Sequence, residues 1–182
     1  MSYMNNLVQA PTTGRHNMIT TSFLGEIYHL HKRKEVFVRL EQYSIVYWGS
    51  RKKEALGTSL VRIEDIEDIE NFREFTIYEL DYVQPDFVLF KDNKYITDSK
   101  DLRTAGQPDL IVEVWSRSNT KADRAFLQDL YATSDRTEFW QVEQDSNIVK
   151  CSLGDSELPE QSLVNILRTQ RGLEFDLRYL AN

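Results

Sequence analysis

Apolar and polar positions change period several times along the chain. In residues 14 to 31, Ile19, Phe23, Ile27 and Leu30 recur at spacings of 4, 4 and 3, which predicts an amphipathic helix that Thr12 or Thr13 can cap. From Glu35 the period becomes two. Val36, Val38 and Leu40 alternate with Phe37, Arg39 and Glu41, and Ile45-Val46-Tyr47-Trp48 follows, a strand or hairpin pattern. Gly49 to Gly57 reads as a basic turn, Leu60 to Ile63 as a strand, and Glu64 to Glu70 as a solvated loop or short helix. Phe75 to Val83 and Asp86 to Phe90 are the next two strands, separated by Gln84-Pro85, and a polar loop from Lys91 to Gln107 follows.

Leu110-Ile111-Val112-Glu113-Val114-Trp115 is almost continuously apolar, which predicts a strand covered on both faces. Ser118, Asn119 or Thr120 can cap a helix with Ala122, Phe126, Leu130 and Thr133 on one face and Leu127 and Tyr131 beside them. Glu138 to Val142, a turn at Asp145-Ser146-Asn147 and Ile148 to Leu153 form a hairpin. A strand near Leu163 to Thr169 and a segment after Gly172 close the chain. Strands, one helix and further strands indicate an α/β or α+β sandwich around a mixed sheet. The length of 182 residues fits one domain, 11–182, behind a tail at 1–10.

Composition narrows the class. With 41% hydrophobic and 28% charged residues, 7 Gly and 4 Pro, the chain is globular and not low-complexity. No apolar run approaches the ~20 residues of a membrane span, and the first residues lack a secretory pattern, so the cytoplasm is expected. Cys151 is the single cysteine, which excludes an intrachain disulfide and a thiolate metal knuckle. The net charge of -7 argues, taken whole, against a nucleic-acid partner. It is concentrated, however: eleven acids and three bases between Glu54 and Asp92 leave the rest of the chain at +1. A polyanionic partner is therefore compatible with the charge. The expected surface is asymmetric, with Glu64 to Glu70 turned away from any cleft and Lys91 to Lys121 bordering it.

Glu113 is the residue that most needs a partner, because an ionised, unpaired carboxylate among Leu, Ile, Val and Trp costs several kcal/mol. Asp86 opens an apolar strand directly after Pro85. Two acids on neighbouring strands can chelate a hard divalent cation. Asp109 is the alternative partner, but four strand residues separate it from Glu113 by about 13 Å, too far for one ion. A purely structural reading stays open at this point: Asp86 can satisfy backbone N–H groups, and Glu113 can pair with Arg117 or Arg124. Three histidines limit metal chemistry; His29 and His31 sit at i, i+2 and do not face each other on a helix. No Gly-rich phosphate loop, G-x-S-x-G elbow or dinucleotide fingerprint is present.

The series Val83-Gln84-Pro85-Asp86-Phe87-Val88, Gln107 to Ser116, Asp123, Tyr131-Ala132 and Glu138-Phe139-Trp140-Gln141-Val142 resembles the Uma family of restriction endonucleases, in the PD-(D/E)xK nuclease superfamily. The likeness extends upstream to the segment from Pro11 to His16 and downstream to Gly172 to Leu177. It implies a restriction endonuclease-like core, a mixed central β-sheet flanked by helices. It further implies a Mg²⁺- or Mn²⁺-dependent endonuclease that hydrolyses DNA phosphodiesters, with Asp86, Glu113 and the Val114 carbonyl as metal ligands. The superfamily lysine two residues after the second acid is Trp115 here, and the relocated position on the following helix is Leu127. Lys121 and Arg124 are the nearest replacements, with Lys121 taken as the catalytic candidate. His16 is a third group, an orienting residue, or a cap, and Glu26 is held in reserve. A homodimer is expected by analogy with enzymes that cut both strands. The alternative is a degenerate member of the fold that binds DNA or a protein without cleavage, and an acidic interaction module has only its charge in favour.

Overall fold

The computed structural model describes residues 14–32, 45–47, 81–83, 85–89, 95–97, 104–106, 108–132 and 136–181. Expected features at 33–44 and 48–80, including the first alternating strand, the basic turn and the Glu64 to Glu70 run, lie outside the described residues, as do Lys91, Lys94, Lys100 and Arg103. The elements are α1 (Gly14–Lys32), β1 (Ile45–Tyr47), β2 (Asp81–Val83), β3 (Phe87–Leu89), β4 (Tyr95–Thr97), β5 (Thr104–Gly106), β6 (Leu110–Trp115) and α2 (Lys121–Tyr131). They continue with β7 (Glu138–Glu143), β8 (Ile148–Leu153), β9 (Ser156–Ser162), β10 (Ile166–Arg168), β11 (Glu174–Asp176) and a 3₁₀ turn (Arg178–Ala181). No helix among the described residues is long and apolar enough to cross a membrane.

The main sheet has the order β3-β6-β7-β8-β9. Only β6 and β7 run parallel, joined through α2; the other pairs are antiparallel. A crossover helix is what a parallel pair requires. A second sheet has the order β2-β1-β5-β4, and β10 pairs with β11.

Side-chain alternation splits the apolar residues of β6 between two cores. Leu110, Val112 and Val114 join Phe87, Leu89, Trp140, Val142 and the α1 stripe Ile19, Phe23, Ile27 and Leu30 on one face. Ile111 and Trp115 join Val88, Phe139 and the α2 residues Leu127, Leu130 and Tyr131 on the other. Every β6 residue is buried, as its near-continuous apolar run predicts, and the mixed sheet with a helix on each face is the α/β architecture expected.

Three local expectations change. The polar stretch from Lys91 to Gln107 carries the antiparallel pair β4 and β5, each too short to show a period. The polar segment Ser156–Ser162 is an edge strand, mostly exposed, so it carries no apolar alternation. On α2 the buried face is Leu127, Leu130 and Tyr131, while Ala122 and Phe126 are exposed. The helix lies rotated from the 122/126/130 stripe because 127 and 131 are the positions facing Ile111, Trp115 and Phe139.

Candidate active site

The β3–β6 register pairs Phe87 with Val112, and one further step sets Asp86 opposite Glu113. By the two-residue period Asp86 shares the face of Val88, and Glu113 that of Ile111 and Trp115, so both carboxylates stand on the α2 side. Backbone bonds hold the base of this hairpin-like pair: the Asp109 N–H donates to the Leu89 carbonyl at 2.8 Å, and the Glu138 N–H to the Asp109 carbonyl at 3.0 Å.

Asp86 is gripped through one oxygen. Its Oδ2 accepts the Val114 backbone N–H at 2.7 Å and lies 3.1 Å from His16 Nε2. His16 comes from the first turn of α1, and its neighbour Arg15 locks that turn in place: Arg15 Nε donates to the Gln144 carbonyl at 2.6 Å and Nη2 to Asn147 Oδ1 at 2.5 Å. The histidine is buried, and its bond to Asp86 pushes its pKa up, against the opposing effect of burial.

Glu113 is buried, whereas Asp86 is half-buried. Its Oε1 accepts a hydrogen bond from the buried Tyr131 hydroxyl at 3.0 Å. Burial, and then the charge of Asp86 beside it, hold its pKa well above the ordinary carboxylate range. Neither basic partner of the structural reading is here. Arg117 pairs with Asp145 at 3.0 Å, and Arg124 pairs with Glu143 at 2.7 Å while its guanidinium covers the Trp115 ring at 5.2 Å.

Other candidates lie elsewhere. Asp109 pairs with Arg171, and Glu26 accepts the Asp176 N–H at 3.3 Å, fastening β11 to α1. Ser116 bonds Asn119 and Ser118 in the turn that leads into α2. Lys121 is exposed at the first position of α2, with no ion pair to either carboxylate among the described residues, and Leu127 is buried among apolar side chains. His29 is exposed. Tyr131 is the site residue that periodicity hides, because a tyrosine on a buried helical face reads as core; the lone buried carboxylate on the facing strand was the signal that it needed a donor.

The donor chemistry suits a hard divalent cation. Two carboxylates stand side by side with no Arg or Lys pairing either among the described residues, and Mg²⁺ is commonly held by one or two carboxylates with several waters. Among the described residues no group of three or more His, Cys, Asp or Glu is placed to hold a metal ion, so the side-chain set is the carboxylate pair, with His16 engaged on Asp86.

A mixed five-stranded sheet with a helix on each face and a carboxylate pair on adjacent strands places the chain in the restriction endonuclease-like class of α/β folds. The chain belongs to the Uma2 family: the family's sequence pattern, described as "Putative restriction endonuclease", matches residues 69–178, more than half of its length. It is also similar to a solved structure from Anabaena variabilis titled as that of a "putative nuclease belonging to DUF820", with 11% identity, a TM-score of 0.59, and coverage of 94% of this chain and 84% of that one. At that identity the likeness concerns the fold. No curated protein matches the chain.

Proposed function

We propose that this protein is a metal-dependent DNA endonuclease in which Asp86, Glu113 and the Val114 carbonyl hold Mg²⁺ or Mn²⁺. The observation that carries the reading is the juxtaposition of Asp86 with the buried Glu113, two acids brought together without an Arg or Lys partner among the described residues. Burial and the Asp86 charge disfavour the ionised form of Glu113, and a bound cation would favour it. A bound divalent ion would supply Lewis-acid activation of water and stabilise charge on the departing phosphodiester oxygen. The chain's own part is to fix the ligands. The Val114 N–H and His16 hold Asp86 Oδ2, and Tyr131 holds Glu113 Oε1. Trp115 and Leu127 pack in the apolar cluster on the α2 side and back the carboxylates there. Lys121, exposed at the head of α2, is the candidate to meet the substrate phosphate and position the attacking water.

A second reading, a nuclease fold that binds DNA without cutting it, is favoured by one observation. Leu127, at the position where the family resemblance places a lysine, is buried against the core and leaves no cation there. Incubating the purified chain with supercoiled plasmid in Mg²⁺ and in Mn²⁺ separates the two. The first reading expects cleavage that is lost in Asp86→Ala and Glu113→Ala and weakened in Lys121→Ala. Equal cleavage by wild type and both alanine variants would mean a contaminant and end it. No cleavage by wild type, with activity appearing in Leu127→Lys, would mark the chain as a disabled nuclease, the core of the second reading.

A further inference from the structure

Helix α2 delivers one polar atom to the carboxylate pair, and it comes from a residue whose ring is part of the core. Tyr131 is 1% exposed, its ring sits edge-on to Phe139 with centroids 4.8 Å apart and planes at 64°, and Leu127 and Leu130 belong to the same cluster. A ring so enclosed has little freedom to swing, so the position of its hydroxyl is set by core packing. That hydroxyl donates to Glu113 Oε1 at 3.0 Å. Phenylalanine would fill the same volume, so packing alone does not require the oxygen.

We propose that Tyr131 is a positioning residue for the cation site: its phenol O–H, held by the α2 core, fixes the orientation of the Glu113 carboxylate beside Asp86 through Oε1. The proposal rests on the reading of Asp86 and Glu113 as cation ligands. It treats the phenol as an outer partner of the kind that orients a ligating carboxylate, whose loss typically weakens metal affinity by about 10–100-fold. The same bond also completes the division of labour in the pair, since Asp86 is held through Oδ2 by His16 and Val114 in a comparable way.

The test is calorimetric titration of the full chain with Mn²⁺, together with melting temperatures, for wild type, Glu113→Gln, Tyr131→Phe and Phe139→Leu. Tyr131→Phe removes only the hydroxyl, and Phe139→Leu loosens the ring while keeping it. The expected result is Mn²⁺ affinity about tenfold lower in Tyr131→Phe, and a lower melting temperature with affinity nearly unchanged in Phe139→Leu. Equal affinity in wild type and Tyr131→Phe, with Glu113→Gln impaired, overturns the role of Tyr131 and leaves the cation site standing. Equal losses in Tyr131→Phe and Phe139→Leu assign the effect to packing and also overturn it. Absence of Mn²⁺ binding by wild type overturns the cation site and the positioning role together.

Discussion

Buried ionisable side chains in this fold differ sharply in what surrounds them. Glu138 is buried but answered twice: Trp140 Nε1 donates to its Oε1 at 2.6 Å and the Gln170 N–H to its Oε2 at 2.8 Å. It reads as structural. Glu113 differs in its neighbour: besides the Tyr131 phenol its hydrogen-bond partner is Asp86, a second acid whose charge adds to burial in raising its pKa. Cys151 is a third case, a buried thiol whose pKa burial pushes up to about 12. Its raised folded pKa means that the native state keeps a proton that the unfolded chain releases above about pH 8.5. Stability therefore falls as pH rises from that point toward 12, by up to about 1.4 kcal/mol per pH unit from this group. Urea unfolding at pH 8.5 and pH 10 should show a steeper loss for wild type than for Cys151→Ala; parallel losses would refute the assignment. At this scale Glu113 and Asp86 stood out in the sequence because a carboxylate inside or opening an apolar run is anomalous. Spacing alone does not join His16 to Asp86, 70 residues away; of the roles expected for His16, a third group, an orienting residue or a cap, its bond to Asp86 is the orienting contact.

Helix α2 sets the geometry of the site, and its own boundaries are chemically encoded. Thr120 accepts the Asp123 N–H at 3.1 Å through Oγ1, and Asp123 Oδ2 accepts the Thr120 N–H at 2.9 Å, a complete capping box. The cap was legible in the sequence, as were β6, from its apolar run, and β8, as the return of the hairpin at Asp145-Ser146-Asn147, both with their observed bounds. The facing side of α2 was not. Two overlapping stripes were available, and tertiary contact with Ile111, Trp115 and Phe139 chose the one containing Leu127 and Tyr131. This choice has a measurable consequence. Leu127→Ala should cost about 2–5 kcal/mol in urea unfolding, as a buried leucine does, whereas Phe126→Ala, at 36% exposure, should cost clearly less. The reverse order would mean that α2 sits on the sheet by its other stripe. Strands β4, β5 and β9 escaped detection for a related reason: β4 and β5 are three residues each and β9 is a polar edge strand, which leaves no apolar period to read.

Across the whole molecule, the sheet separates two cores and concentrates the site where they meet. Phe23 of α1 packs on Phe87 and Phe175 at 5.7 Å and on Trp140 at 6.2 Å, anchoring one face, while α2 closes the other. His16 arrives with α1, Asp86 beside β3, Glu113 and Val114 with β6, and Tyr131 with α2, so β3 and β6 make the pair and the two helices supply its hydrogen-bond partners. The net charge of -7 bears on this centre through Asp86 and Glu113 themselves, two acids whose repulsion a cation would relieve. That they share one divalent ion is tested most directly by anomalous diffraction from crystals soaked in Mn²⁺. The expected result is a peak between the two carboxylates and beside the Val114 carbonyl, missing in Glu113→Ala crystals. A peak elsewhere, or none at saturating Mn²⁺, would contradict it.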